Sequence, residues 1–117
     1  MTQINLENKG EFTELTVLGH CNAGRINGND LCCCAVSMLV FTLMSSLEKL
    51  SPEGYFSKYA SGWCYVRYLS CSDKSAEADI ITNTVINGFK LLEKRFPSSV
   101  CIINSQTKTK ERSDING

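Results

Sequence analysis

The chain has 117 residues, enough for one domain, and its 12 Lys plus Arg against 12 Asp plus Glu leave a formal charge of zero. That balance argues against a protein held on nucleic acid or anionic lipid by bulk charge. A hydrophobic share of 43% with only two prolines excludes wholesale disorder and collagen-like or linker character.

Residues 2–7 and 12–18 read as two strands joined around Asn8-Lys9-Gly10; in the second, Leu15 and Val17 share one face and Glu14 and Thr16 the other. Cys21 to Asn29 reads as a loop, with Asn22, Gly24, Asn27 and Gly28 inside it. Asn29 or Asp30 then offers an N-cap for a helix. Its apolar run, Leu31 to Met44, is interrupted only by Ser37 and Thr42, and its tail is Ser45 to Leu50. The run is shorter than the roughly 20 residues a membrane span needs, so it is expected to be a core helix buried nearly all round. Pro52 and Gly54 end it. Residues 55–59 and 63–69 form an expected hairpin turning at Ala60-Ser61-Gly62. After a polar link, Ser72 to Ser75, the spacing of Ile81, Val85, Phe89, Leu92 and Phe96 predicts a helix from Ala76 to Phe96, stopped by Pro97. Val100 to Ile103 is a short last strand. From Ser105 to Gly117 only Ile115 is apolar, which predicts a flexible polar tail after a domain spanning residues 1–104. Its Lys108, Lys110 and Arg112 stand against Glu111 and Asp114, a solvated pattern. The order ββαββαβ predicts an α+β, two-layer architecture: a mostly antiparallel sheet with two helices packed on one face.

Seven cysteines are present: Cys21, Cys32, Cys33, Cys34, Cys64, Cys71 and Cys101. An odd number cannot all pair within a chain, and the first 30 residues show no basic segment followed by an apolar run. Thiols in a reducing cytoplasm are therefore expected. Cys64 and Cys71 read as strand and loop residues and Cys101 as core.

The chemistry-bearing residues cluster around the buried helix. His20, the only histidine, follows Gly19 at the end of a strand, and Cys33 lies in the first helical turn. Asp30, Cys33 and Ser37 share one stripe, while Cys32 and Cys34 sit about 100° to either side. A free thiol with a pKa near 8.5 is only a few per cent ionised at pH 7. Helix N-terminal N–H groups and a nearby imidazole would favour the thiolate, and the imidazole would shuttle the proton. Asp30 could cap the helix, orient His20 or hold a substrate N–H. Two other readings compete. Cysteine is a good small core residue, so three in a buried helix need no function. His20 with Cys21, Cys32, Cys33 and Cys34 also supplies soft metal ligands, but without a Cys-x-x-Cys pair, and adjacent helical cysteines diverge.

Gly19-His20, a glycine-bearing loop and Asp30-Leu31-Cys32-Cys33-Cys34-Ala35-Val36-Ser37 resemble the signature of the ribosomal-processing cysteine protease family Prp. That signature reads Gly-His-Ala, a short loop, then Asp-Ile-Val-Cys-Ala-Ala-Val-Ser. The resemblance implies that Cys33 is the nucleophile and His20 the base of a dyad, with Gly19, Asp30 and Ser37 in substrate-binding or orienting positions. It further implies a cytoplasmic homodimeric endopeptidase, needing no metal or cofactor, that removes the N-terminal extension of a large-subunit ribosomal protein. No membrane or nucleic-acid partner is expected. Two departures stand out: Cys21 replaces the usual alanine, and the loop to Cys33 is one residue longer, around Asn27-Gly28, where it would gate a substrate groove. Cys32 and Cys34 are expected to pack the helix. The competing functions are a catalytically inactive ribosome-associated binding protein and a thiol redox or metal module.

Overall fold

The computed structural model describes residues 1–21 and 30–105. The loop expected at 22–29, including Asn29 as an alternative cap, and the tail 106–117 lie outside the described residues. The elements run β1 (Thr2–Lys9), β2 (Phe12–Leu18), α1 (Leu31–Leu50), β3 (Phe56–Ala60), β4 (Trp63–Leu69), α2 (Ser75–Arg95) and β5 (Val100–Ser105). This is the expected α+β order ββαββαβ. The β3–β4 turn is tighter than expected, because Ala60 stays in its strand opposite Trp63 and only Ser61 and Gly62 turn.

The five strands form one sheet in the order β3-β4-β2-β1-β5. Three neighbouring pairs are antiparallel, and β5 joins β1 in parallel. Registers Ile4↔Val17↔Cys64 and Leu6↔Leu15↔Val66 put these side chains on one face. All six are buried, together with Leu43 and Leu47 of α1 and Val85, Ile86 and Phe89 of α2. Both helices therefore cover the same side of the sheet. Each large apolar side chain sealed there contributes about 1.5–3 kcal/mol.

Two expectations are corrected. The first concerns α1, which is not buried all round. Its core stripe is Cys32, Val36, Val40, Leu43 and Leu47, the i, i+4, i+8 spacing of a helix with a single covered side. Leu31, Met38 and Phe41 are exposed. The full 20-residue helix is long and apolar enough by composition to cross a membrane, yet its inner stripe is committed to the sheet core. The second concerns Cys101: it pairs with Gln3, whose side is opposite to that of Thr2 and Ile4, and it is half-buried rather than core. Val100 beside it takes the fully buried position.

Apolar spacing also did not reveal a buried polar junction. Tyr68 of β4 donates to Asp79 Oδ1 (2.6 Å) and lies 3.3 Å from Thr82 Oγ1, both on α2. Asp79 and Thr82 are 4% and 1% exposed, so a charge-assisted bond here works against little solvent competition. Burial, with the Asp79 carboxylate second, pushes the Tyr68 hydroxyl far above its ordinary range, so it remains a donor. Tyr68→Phe removes one donor from the Asp79 carboxylate and is expected to cost about 2 kcal/mol in urea unfolding.

Candidate active site

The site is assembled where the end of β2, the first turns of α1 and the tip of the β3–β4 hairpin converge. Gly19 makes that approach possible. Its φ is +97°, and a Cβ there would collide with the Met1 carbonyl oxygen. Its N–H donates to the Gly62 carbonyl (2.8 Å), and its own carbonyl accepts from Thr2 Oγ1 (3.3 Å). The chain end is thus held on both sides, and His20 follows in a fixed place. Its ring lies against the hairpin tip: Gly62 has φ +73°, and a Cβ added to it would stand 2.6 Å from His20 Nε2.

Asp30 is the N-cap of α1. Its backbone is extended, and its Oδ1 accepts from the Cys33 N–H at 3.0 Å. Of the roles open to Asp30 from sequence, helix capping is the one the geometry displays. The cap also sets the rotation of the first turn. Cys32 is driven into the core at 1% exposure, Cys33 is half-buried and Cys34 faces outward, the divergence expected of successive helical residues.

His20 and Cys33 line one pocket of about 190 Å³. Gly19 and Cys21 contribute from the end of β2, and Val36, Ser37 and Val40 from the helix. Ser37, one turn beyond Cys33, is a half-buried part of the wall. Among the described residues no hydrogen bond joins His20 to Cys33; they are brought to the same cavity without being locked together. The sequence reading missed the hairpin's share: Tyr59, Ser61, Gly62, Trp63 and Cys64 also line the pocket. The usable signal was Gly62, a turn glycine whose missing Cβ leaves room for a ring. Tyr59 stacks at a tilt on Phe41 of α1, with centroids 4.9 Å apart, so an aromatic pair stands at the side of the cavity. Among the described residues no three His, Cys, Asp or Glu side chains converge to hold a metal ion.

The electrostatics differ from the sequence expectation. Burial pushes the Cys33 thiol above its ordinary value; the Cys21 N–H at the sulfur pulls it back, while the Cys21 thiol and the Asp30 carboxylate push it up again. The reason is local. Asp30, in capping the helix, takes up the Cys33 N–H and places a negative charge beside the sulfur, opposing the helix-terminus effect. Cys32, deeper, is pushed up to about 12, mainly by burial and next by its hydrogen bond with Cys21. Cys33 therefore rests as a neutral thiol beside Cys21 and Asp30, with His20 in the same cavity. Because its pKa is raised, the reactive thiolate grows in only as pH climbs beyond the ordinary thiol range. Iodoacetamide labelling of Cys33, followed by mass spectrometry, is expected to be slower than that of free cysteine near pH 7 and to go on rising at alkaline pH where free cysteine has already levelled off. Equal rates at neutral pH would contradict the resting state described.

The family model described as cysteine protease Prp matches residues 1–101. Among curated proteins none matches. Two structures of the essential ribosomal processing protease Prp from S. aureus are similar, one with a covalently linked product peptide and one with a substrate peptide. They are 20% and 18% identical, with TM-scores of 0.71 and 0.67, and each match covers 89% of this chain and 99% of that one. SMU.848 from Streptococcus mutans is 22% identical with a TM-score of 0.62, over 89% of this chain and 95% of its own. With its family model matched from β1 through both helices to the start of β5, the chain belongs to the Prp family of cysteine proteases.

Proposed function

We propose that this cysteine protease removes the N-terminal extension of a large-subunit ribosomal protein, with Cys33 as nucleophile and His20 as base. The observation that carries the reading is the shared pocket: the only imidazole of the chain and the half-buried sulfur of the first helical turn line one cavity. The substrate reading is supported by the S. aureus Prp structures, which hold a substrate peptide or a covalently linked product peptide. The cavity's apolar wall, with Val36, Val40 and Tyr59, suits an extended peptide with apolar side chains.

The chemistry follows from the resting state. Cys33 begins as a thiol, so its proton must leave as the sulfur attacks the scissile carbonyl. His20 accepts that proton, then delivers it to the departing amine. Water next enters, His20 takes its proton, and the thioester is hydrolysed. The negative oxygen of each tetrahedral intermediate needs donors. The Cys33 N–H is committed to Asp30, which moves the role away from that atom. The Cys21 N–H, already directed at the sulfur, is placed to serve; one such donor is worth about 3 kcal/mol in other enzymes. Gly19 and Asp30 act by positioning, the first holding His20 and the second holding Cys33.

We also take the protein to be a cytoplasmic homodimer. The seven cysteines, none of them in a disulfide, suit a reducing compartment, and the exposed Leu31, Met38 and Phe41 of α1 suit coverage by a second copy.

A peptide spanning the ribosomal extension, incubated with the protein, is expected to be cut once by the wild type and not at all by Cys33→Ala. His20→Ala is expected to lower kcat by about 100- to 10,000-fold. Binding of the peptide without turnover by the wild type would instead identify a non-enzymatic partner. The hairpin supplies a second prediction. Gly62→Ala forces the His20 ring aside and is expected to reduce kcat/KM about 10- to 100-fold. Gly10→Ala, whose Cβ meets nothing within 4 Å, leaves the activity per folded molecule unchanged.

A further inference from the structure

The reaction uses the imidazole at position 20 and the sulfur at position 33 but makes no use of the Cys21 thiol in the same pocket wall. That thiol is 2% exposed and belongs to the same pocket wall as Cys33. It is also held. Thr2 Oγ1 lies 3.3 Å from Cys21 Sγ, the Cys21 N–H donates to the Cys33 sulfur, and the Cys21 thiol hydrogen-bonds that of Cys32. One thiol from the end of β2 therefore meets two from the start of α1.

The other cysteines are poorly placed to bond Cys33. Cys32 and Cys34 are its neighbours on a helix, about 100° around the axis on either side, and cannot turn toward it without unwinding the first turn. Cys64 lines the cavity too, but its sulfur is turned onto Met44 Sδ at 3.8 Å. Of the two cysteines that reach the cavity from other segments, Cys21 is the one that interacts with Cys33.

We infer that Cys21 is the resolving thiol of Cys33, making the pocket a reversible oxidation site for peroxides. The inference rests on Cys33 being the nucleophile. In the first step His20 takes the Cys33 proton and the sulfur attacks one peroxide oxygen. An S–O bond forms, the O–O bond breaks, sulfur is oxidised to a sulfenic acid, and the other oxygen leaves as hydroxide and gains a proton. In the second step the Cys21 sulfur attacks the Cys33 sulfur. An S–S bond forms, the S–O bond breaks, and the departing hydroxide takes the Cys21 proton to leave as water. A dithiol reductant reverses the product by exchange. The enzyme is silent while the bond stands, because its attacking sulfur is occupied. The bond also shields Cys33 from the irreversible sulfinic state.

The test treats the full-length protein with hydrogen peroxide, blocks remaining thiols by alkylation and maps linkages by non-reducing peptide mass spectrometry. Peptide cleavage is measured before oxidation, after oxidation and after dithiothreitol. In the wild type the expected result is a Cys21–Cys33 cross-link, lost cleavage, and recovery on reduction. Cys21→Ala and Cys21→Ser, each compared with its own unoxidised sample, are expected to accumulate sulfinic Cys33 and to recover about tenfold less. A cross-link from Cys33 to Cys64 or Cys32, or sulfinic Cys33 in wild type and variants alike, would overturn the inference. The wild-type map does not depend on either variant folding. Failure of the proposed function shows up separately, as cleavage that survives Cys33→Ala.

Discussion

The site depends on a backbone hydrogen bond between two glycines. Gly19 N–H to the Gly62 carbonyl, at 2.8 Å, ties the end of β2 to the tip of the β3–β4 hairpin. Both residues have positive φ, and neither has room for a Cβ: the Met1 carbonyl occupies the space at Gly19, and the His20 ring the space at Gly62. A side chain at either position would separate the two segments, and the imidazole would lose its support. The helix can place Cys33 by itself, through the Asp30 cap; the histidine depends on this crossing.

Much of this was legible in the chain. The alternation in β2 and β4 and the spacing of α2 report the apolar side of each element, and that side is what folding buries. Asp30, Cys33 and Ser37 fall on one stripe by helix geometry alone, and the pocket contains two of them while Asp30 caps the turn. What escaped has a common cause: apolar pattern is blind to polar burial and to contacts between distant segments. Asp79 and Thr82 look like solvent-facing residues of α2 until Tyr68 arrives from β4. The exposed side of α1 escaped for the opposite reason. Leu31, Met38 and Phe41 are as greasy as the core residues beside them, and only the sheet's position distinguishes covered from uncovered.

The resting chemistry is a compromise between order and reactivity. Capping α1 with a carboxylate stabilises the helix, commonly by about 1 kcal/mol, and fixes the sulfur's direction. The same carboxylate, with burial, disfavours the thiolate. The arrangement suits a nucleophile that is deprotonated during attack rather than stored as an ion.

The parallel pairing of β5 with β1 has a consequence for biosynthesis. Thr2, whose hydroxyl braces Gly19 and Cys21, donates its own N–H to Ser99 at 2.8 Å. The first strand thus waits for a partner near the far end of the polypeptide, a contact of very long sequence separation. On the ribosome, β2 can pair with β1 early, but the brace beneath the histidine tightens only once the last strand has emerged. A chain lacking β5 would carry both reactive side chains without the scaffold that aligns them, so the site is complete only once β5 has paired with β1.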